Sequence, residues 1–307
     1  KYKIETSLMK YLSRMSTRCT PFGVFATCSV GKIDETTQFE ITNEVGRCTR
    51  LDMYYLCALI QFLGNLPDIK REVRYYPNNT LYKVGKCIRY VEYKYLNKRR
   101  IHTISSVERS KYLDVILKKA LSGVMIKDIK RYLEEQEIEE QEAQLFIDSL
   151  IQSQLLVSEL DVNITGRDYL SKLIAILGKI NLEDDTRRLL GSLCCVNDLL
   201  KKIDAKSVHP LTDYRKIIDI VSGIPVPYTE NYLFQVDATR KSVAAILGKS
   251  VIAELQSVLS FFSKMGEMKH SSSLDKFRTT FYERYEEREV PLAMALDSEL
   301  GIGYPVG

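Results

Sequence analysis

Apolar residues recur at three- and four-residue steps at Leu8, Tyr11, Leu12 and Met15, the stripe of an amphipathic helix that opens the chain. Thr20-Pro21 is expected to end it, because a residue before proline is pushed out of the helical region, and Gly23 supplies a turn. Strand-like runs follow at 28–33 and 38–41, separated by a polar turn at Asp34 and Glu35, with a further short run at 47–51. From Met53 the spacing is helical again. Tyr55, Leu56, Leu59, Ile60 and Leu63 share a face until Gly64 and Pro67 break the pattern.

Residues 80–104 are dense in β-branched and aromatic types, with turns expected near Gly85-Lys86 and at 97–100, so they predict three antiparallel strands. Three helices follow, striped by Leu113, Ile116, Leu117, Ala120 and Leu121, then by Ile126, Ile129 and Leu133, then by Ala143, Phe146, Ile147, Leu150 and Ile151. Three strands and three short helices make a winged-helix-like module. The acidic stretch 134–142 leads into its third helix, where a DNA reader would carry basic residues, and this weighs against duplex binding.

Beyond Thr165 helical spacing dominates, with Asp168 introducing one helix and a second running from about Asp184 to Ile203. Residues 232–236 predict a buried strand ending on Asp237, and 243–265 a helix. Phe277, Phe281, Tyr282 and Tyr285 stripe a last helix.

Composition narrows the class. With 307 residues, 45% hydrophobic and 27% charged, the chain has length for about two packed domains. No apolar run reaches the roughly 18 residues of a membrane span, and a cytoplasmic location is expected. The seven cysteines form no CxxC and have no histidine at ligand spacing, so no metal is expected. A net charge of +4 permits a polyanionic partner without requiring one.

Arg14 and Arg18 lie four residues apart, so a helix puts both guanidiniums on one face beside the Thr20 hydroxyl, an arrangement suited to phosphate or carboxylate. Solvated surface arginines are the competing reading. Asp52 precedes a helical pattern and fits an N-cap; Asp237 at a strand end fits a turn cap. His102, His209 and His270 lack the context of a catalytic triad. Lys98, Arg99 and Arg100 form a basic turn.

The run SRMSTRCTPFGVFATCSVG at 13–31 resembles the signature of the class I lanthipeptide dehydratases, and the later order FxxRY, EVPL, LD and GIGYP at 281–305 resembles the same family. Cys19 within the motif, and Glu286-Glu287 after Arg284-Tyr285, depart from its pattern. The resemblance implies a piece of a larger enzyme that esterifies Ser and Thr of a precursor peptide with glutamate from glutamyl-tRNA. Elimination to dehydroamino acids would belong to a domain outside this stretch, so the isolated piece is expected to be inactive.

It implies catalytic roles for Arg14, Arg18, Thr20, Asp52 and Asp237, with tRNA contacts at Lys98, Arg99 and Arg100. The leader of the precursor would add as a strand along Ile101, His102, Thr103, Ile104 and Ser105 and touch Phe146 and Leu150. Glutamyl-tRNA would be the co-substrate, with no permanently bound cofactor, and a cyclase and a second copy of the enzyme would be partners. Two alternatives stay open: a non-catalytic peptide-recognition protein, and a related enzyme using another aminoacyl-tRNA.

The expected fold class is α+β, with an embedded winged-helix-like peptide-recognition module and a mainly helical C-terminal half. The expected divisions are 1–75 for the motif-bearing part, 76–160 for the module and 161–307 for the rest.

Overall fold

A computed structural model describes residues 2–18, 23–96, 99–162, 165, 168–206, 211–265 and 272–304, without the side chains of 95, 96 and 99. Helix α1 (Tyr2–Thr17) leads to β1 (Thr27–Cys28), β2 (Lys32–Asp34) and the long β3 (Gln38–Leu51). Then come α2 (Met53–Gly64), α3 (Pro67–Glu72), β4 (Tyr75–Pro77), β5 (Tyr82–Val84), β6 (Cys87–Leu96) and β7 (Arg99–Glu108). Helices α4 (Lys111–Ala120), α5 (Ile126–Glu134) and α6 (Glu140–Gln152) precede β8 (Leu156–Ser158). The remainder is α7 (Tyr169–Leu177), α8 (Asp184–Asp204), α9 (Leu211–Ser222), β9 (Phe234–Gly248), α10 (Lys249–Met265), α11 (Ser272–Tyr285) and α12 (Leu292–Ala295). This is the mixed α+β class expected.

The chain packs as two compact units, each assembled from two stretches: Lys1–Leu63 with Val162–Glu267, and Gly64–Asp161 with Met268–Gly307. A division in sequence order cannot express this, because Met268–Gly307 belongs with Gly64–Asp161 rather than with the helices that precede it.

The first unit is organised on β9, which pairs antiparallel with β3 along one edge and parallel with β1 and β2 along the other. Here the sequence pattern needs correcting. The runs 38–41 and 47–51 join into the single strand β3, with register shifts between Glu40 and Val45. The run 28–33 splits into β1 and β2. At Gly31, between them, a Cβ would lie 2.6 Å from the Ala245 carbonyl oxygen, a distance only glycine accommodates. Asp237 is not at a strand end; β9 continues through it to Gly248, so the expected helix at 243–265 starts only at Lys249. An apolar run such as Val243–Ala244–Ala245–Ile246–Leu247 reads equally as strand or helix, and pairing with β2 and β3 decides it.

Leu56, Leu59 and Leu63 of α2, Leu193 and Val196 of α8 and Ile217 of α9 are buried, each such side chain contributing about 1.5–3 kcal/mol. By contrast α1 buries none of its residues: Leu8, Tyr11, Leu12 and Met15 remain 53–62% exposed.

In the second unit β5, β6 and β7 form an antiparallel sheet in that order, while β4 pairs with β8. Ser110 caps α4 by accepting from the Leu113 amide, and Ile116, Ile129, Leu133 and Ile147 pack as the helix stripes require. On α11 Phe277, Phe281 and Tyr285 adjoin one another, whereas Tyr282, expected on that face, is 64% exposed.

The carboxylate of Asp297, 1% exposed, ties the C-terminal loop to the sheet. Its Oδ2 accepts from Tyr82 Oη at 2.6 Å and Arg89 Nη1 at 2.7 Å, and its Oδ1 from the amides of Glu299 and Leu300. Arg284 adds donors to the carbonyls of Leu300 and Gly301. A Cβ at Gly301 would lie 2.1 Å from the Met294 carbonyl oxygen, so the loop cannot close around a larger residue.

Burial pushes the Asp297 carboxyl up, but the Tyr82, Arg89 and backbone donors together outweigh it and hold it at about 2. The native state therefore favours the ionised form, and this contribution is complete above the ordinary carboxylate value near pH 4 and lost as the pH falls through about 2. Asp297→Asn is expected to cost about 2–4 kcal/mol at neutral pH, read as a lower urea midpoint by circular dichroism. The gap between wild type and variant should close as the pH is lowered from 6 to 2; a constant gap would show that the charge is not its source.

Candidate functional site

Cross-strand pairing sets the site. Arg50 lies opposite Gln235, Cys48 opposite Asp237 and Thr49 opposite Val236. Side chains alternate along each strand, so Arg50, Gln235, Cys48 and Asp237 share one face while Thr49 and Leu51 take the other. The second face is buried: Thr49 is clamped by Asp204 of α8, whose Oδ2 accepts from the Thr49 amide at 2.8 Å and whose Oδ1 accepts from its hydroxyl at 2.6 Å.

On the open face Arg50 Nη2 meets Asp237 Oδ2 at 2.6 Å, with side-chain exposures of 39% and 42%. Gln235 Nε2 approaches the same oxygen at 3.5 Å. The ion-pair partner of Asp237 is thus Arg50.

Asp52 follows directly on β3. Its amide donates to the Leu233 carbonyl at 2.8 Å, and its Oδ1 accepts from the Tyr54 amide at 2.8 Å, so it caps α2 while staying half-buried. Asp52 and Asp237 thus hang from the same two-stranded ladder.

The motif loop reaches that ladder at Gly23, whose φ is +54° and whose carbonyl accepts from the Ala238 amide at 3.0 Å, one residue from Asp237. Thr27 pairs with Ala238 and Cys28 with Thr239, and the Ser29 hydroxyl donates to the Arg240 carbonyl. Tyr11 of α1 stacks on Phe25 with centroids 5.4 Å apart, connecting the helix to the loop. Arg14 is half-buried and Arg18 exposed, and Arg18 makes no ion pair among the described residues. Thr20 lies outside the described residues.

Among the other expected site residues, Lys98 and the Arg99 side chain also lie outside the described set, as do His209 and His270. Arg100 places its guanidinium 3.7 Å from the centre of the Tyr93 ring. Burial pushes the nearby Asp161 carboxyl up while the Arg100 charge pulls it down. Strand β7 is an edge of its sheet, with Ile101, His102, Thr103 and Ile104 exposed and Ser105 half-buried. Phe146 is half-buried on α6. Leu150, 2% exposed, is core and offers no surface to a peptide, because the helix stripe that carries it faces inward.

Arg50 and Asp204 were missed in the sequence. Arg50 stands two residues before Asp52, but its partner is 187 positions away. For Asp204 one signal existed: an acidic residue in the last turn of a helix opposes the helix dipole and so points to another role.

Among the described residues no helix is long and apolar enough to cross a membrane. Nor does any group of three His, Cys, Asp or Glu among them stand close enough to hold a metal ion.

Comparison with known proteins adds the family. The chain is 24% identical to the nisin biosynthesis protein NisB of Lactococcus lactis subsp. lactis, covering 99% of this chain and 30% of NisB. It is 23% identical to the epidermin biosynthesis protein EpiB of Staphylococcus epidermidis, over 98% of this chain and 30% of EpiB. It thus spans about 30% of the length of these curated relatives. Its fold is similar to that of the tRNA-dependent lantibiotic dehydratase MibB from Microbispora sp. 107891, with a TM-score of 0.75, 21% identity, and coverage of 98% of this chain and 30% of that one. It is also similar to the glutamylation domain TbtB from thiomuracin biosynthesis, with a TM-score of 0.64, 14% identity, and coverage of 94% and 35%. Residues 1–307 match the model described as lantibiotic dehydratase, N terminus, and the chain belongs to that family.

Proposed function

We propose that this chain is the part of a lanthipeptide dehydratase that helps transfer glutamate from glutamyl-tRNA to Ser and Thr hydroxyls of a precursor peptide, elimination being carried out elsewhere in the enzyme. Family membership and the likeness to a tRNA-dependent dehydratase and a glutamylation domain support this reading. The observation that carries it is the meeting of the motif loop with β9 at Ala238, beside an Asp237 that is half exposed and paired with Arg50.

An aminoacyl ester is already activated, so the protein has chiefly to position the hydroxyl and stabilise charge on the tetrahedral intermediate. In this reading Arg14 and Arg18 hold the anionic portion of the charged tRNA or its glutamyl carboxylate, and Thr20 orients a hydrogen bond. Asp52 and Asp237 supply the acceptors. The leader of the precursor adds to the open edge of β7, with Ile101 and Thr103 on one side of the strand and His102 and Ile104 on the other. Arg100 stands near the start of that strand as a tRNA contact.

Arg14→Ala or Arg18→Ala in the full-length enzyme should lower glutamyl transfer by about 100-fold or more while leaving leader binding unchanged. Transfer at the wild-type rate by both variants would defeat the assignment. Asp52→Asn separates capping from chemistry, because asparagine caps about as well as aspartate whereas alanine costs about 1 kcal/mol. The Asp52→Asn variant should retain the wild-type urea midpoint yet lose transfer; full activity would leave Asp52 as a cap alone.

A further inference from the structure

Arg50 is held where a substrate-facing group would be. The clamp of Thr49 by Asp204 on the buried face of β3 fixes the strand, and alternation then presents Arg50 on the open face. From there its Nη2 reaches diagonally across the ladder to Asp237 Oδ2 at 2.6 Å, and Gln235 approaches the same oxygen from the position opposite Arg50. Among the described residues Oδ1 of Asp237 accepts no hydrogen bond, and Nε and Nη1 of Arg50 make none. The pair is therefore a neutral unit whose remaining carboxylate oxygen and guanidinium nitrogens have no partner among the described residues.

Charge decides what such a unit takes. Asp237 is already neutralised by Arg50, so it offers little net attraction to an ammonium group. A neutral hydroxyl, which both donates and accepts, matches a carboxylate oxygen beside guanidinium donors that have no partner among the described residues. We propose that Arg50 is a positioning residue of the transfer site, which occupies Oδ2 of Asp237 and so directs Oδ1 at the acceptor hydroxyl of the peptide rather than at the aminoacyl group. This deepens the proposed function and rests on it. Arginine suits the task better than lysine, because its planar fork fixes direction where an ammonium supplies only charge.

The test is single-turnover transfer by the full-length enzyme, with Arg50→Ala, Arg50→Lys, Asp237→Asn and the Arg50→Ala/Asp237→Asn double variant. The peptide is varied at saturating glutamyl-tRNA, and tRNA affinity is measured separately. Arg50→Ala should lower the rate at saturating peptide by about 100-fold, the cost of a small misplacement of a reacting group, with tRNA affinity and the urea midpoint unchanged. Lysine should restore about a tenth or more of the wild-type rate, and the double variant should be no slower than Asp237→Asn.

A loss confined to tRNA affinity, losses that multiply in the double variant, or Arg50→Ala at the wild-type rate would each overturn the proposal. Where the double variant is too slow to compare, failure of lysine to improve on alanine does the same. If Asp237→Asn itself transfers at the wild-type rate, the assignment of the transfer site fails, a result distinct from failure of Arg50 alone.

Discussion

The backbone ladder between β3 and β9 is the constraint on which the first unit depends. Strand pairing has a period of two, so a slip of one residue would carry Asp237 to the buried face and bring its neighbours out. Three contacts oppose such a slip: Asp204 on Thr49, the Asp52 amide on the Leu233 carbonyl, and the Gly23 carbonyl on the Ala238 amide. Each comes from a different part of the chain, so the register is held from the helix behind, from the end of the ladder and from the motif loop along its edge. The irregular stretch between Glu40 and Val45 separates this well-registered half from the half nearer Gly248.

Aspartates in this protein illustrate how surroundings assign a role. Asp297 is enclosed and receives four donors, and its carboxylate serves to join the C-terminal loop to β5 and β6 within the second unit. Asp204 is spent on a backbone amide and a hydroxyl of Thr49. Asp52 accepts from a helix amide at one oxygen, and Asp237 faces outward with a single guanidinium as its main partner. Fully satisfied, buried carboxylates specify structure, whereas partly satisfied ones at the surface retain capacity for a ligand. By that measure Asp297 of the LD pair belongs to packing, and the proposed chemistry lies on the ladder of the first unit.

Several helices and the β-rich stretch were legible from the chain alone because their signals are local. Stripes at three- and four-residue spacing gave α2 and α4 to α6, Asp52 and Asp168 gave the caps of α2 and α7, and the β-rich run around Tyr90 gave the three-stranded sheet. The arginine pair, the glycine turn and the two aspartates were also visible as residue types at given spacings, and family resemblance supplied their roles.

What the chain could not disclose depends on partners far away in sequence. The extent of β9, and with it the position of Asp237 inside a strand, follows from pairing with segments some 200 residues earlier, which no local periodicity encodes. The same holds for Arg50, whose value lies wholly in a contact across the ladder. Local spacing determines which residues can share a face; only the folded backbone decides what that face meets, because cross-strand and interhelical contacts are set by the closure of long loops rather than by neighbouring residues.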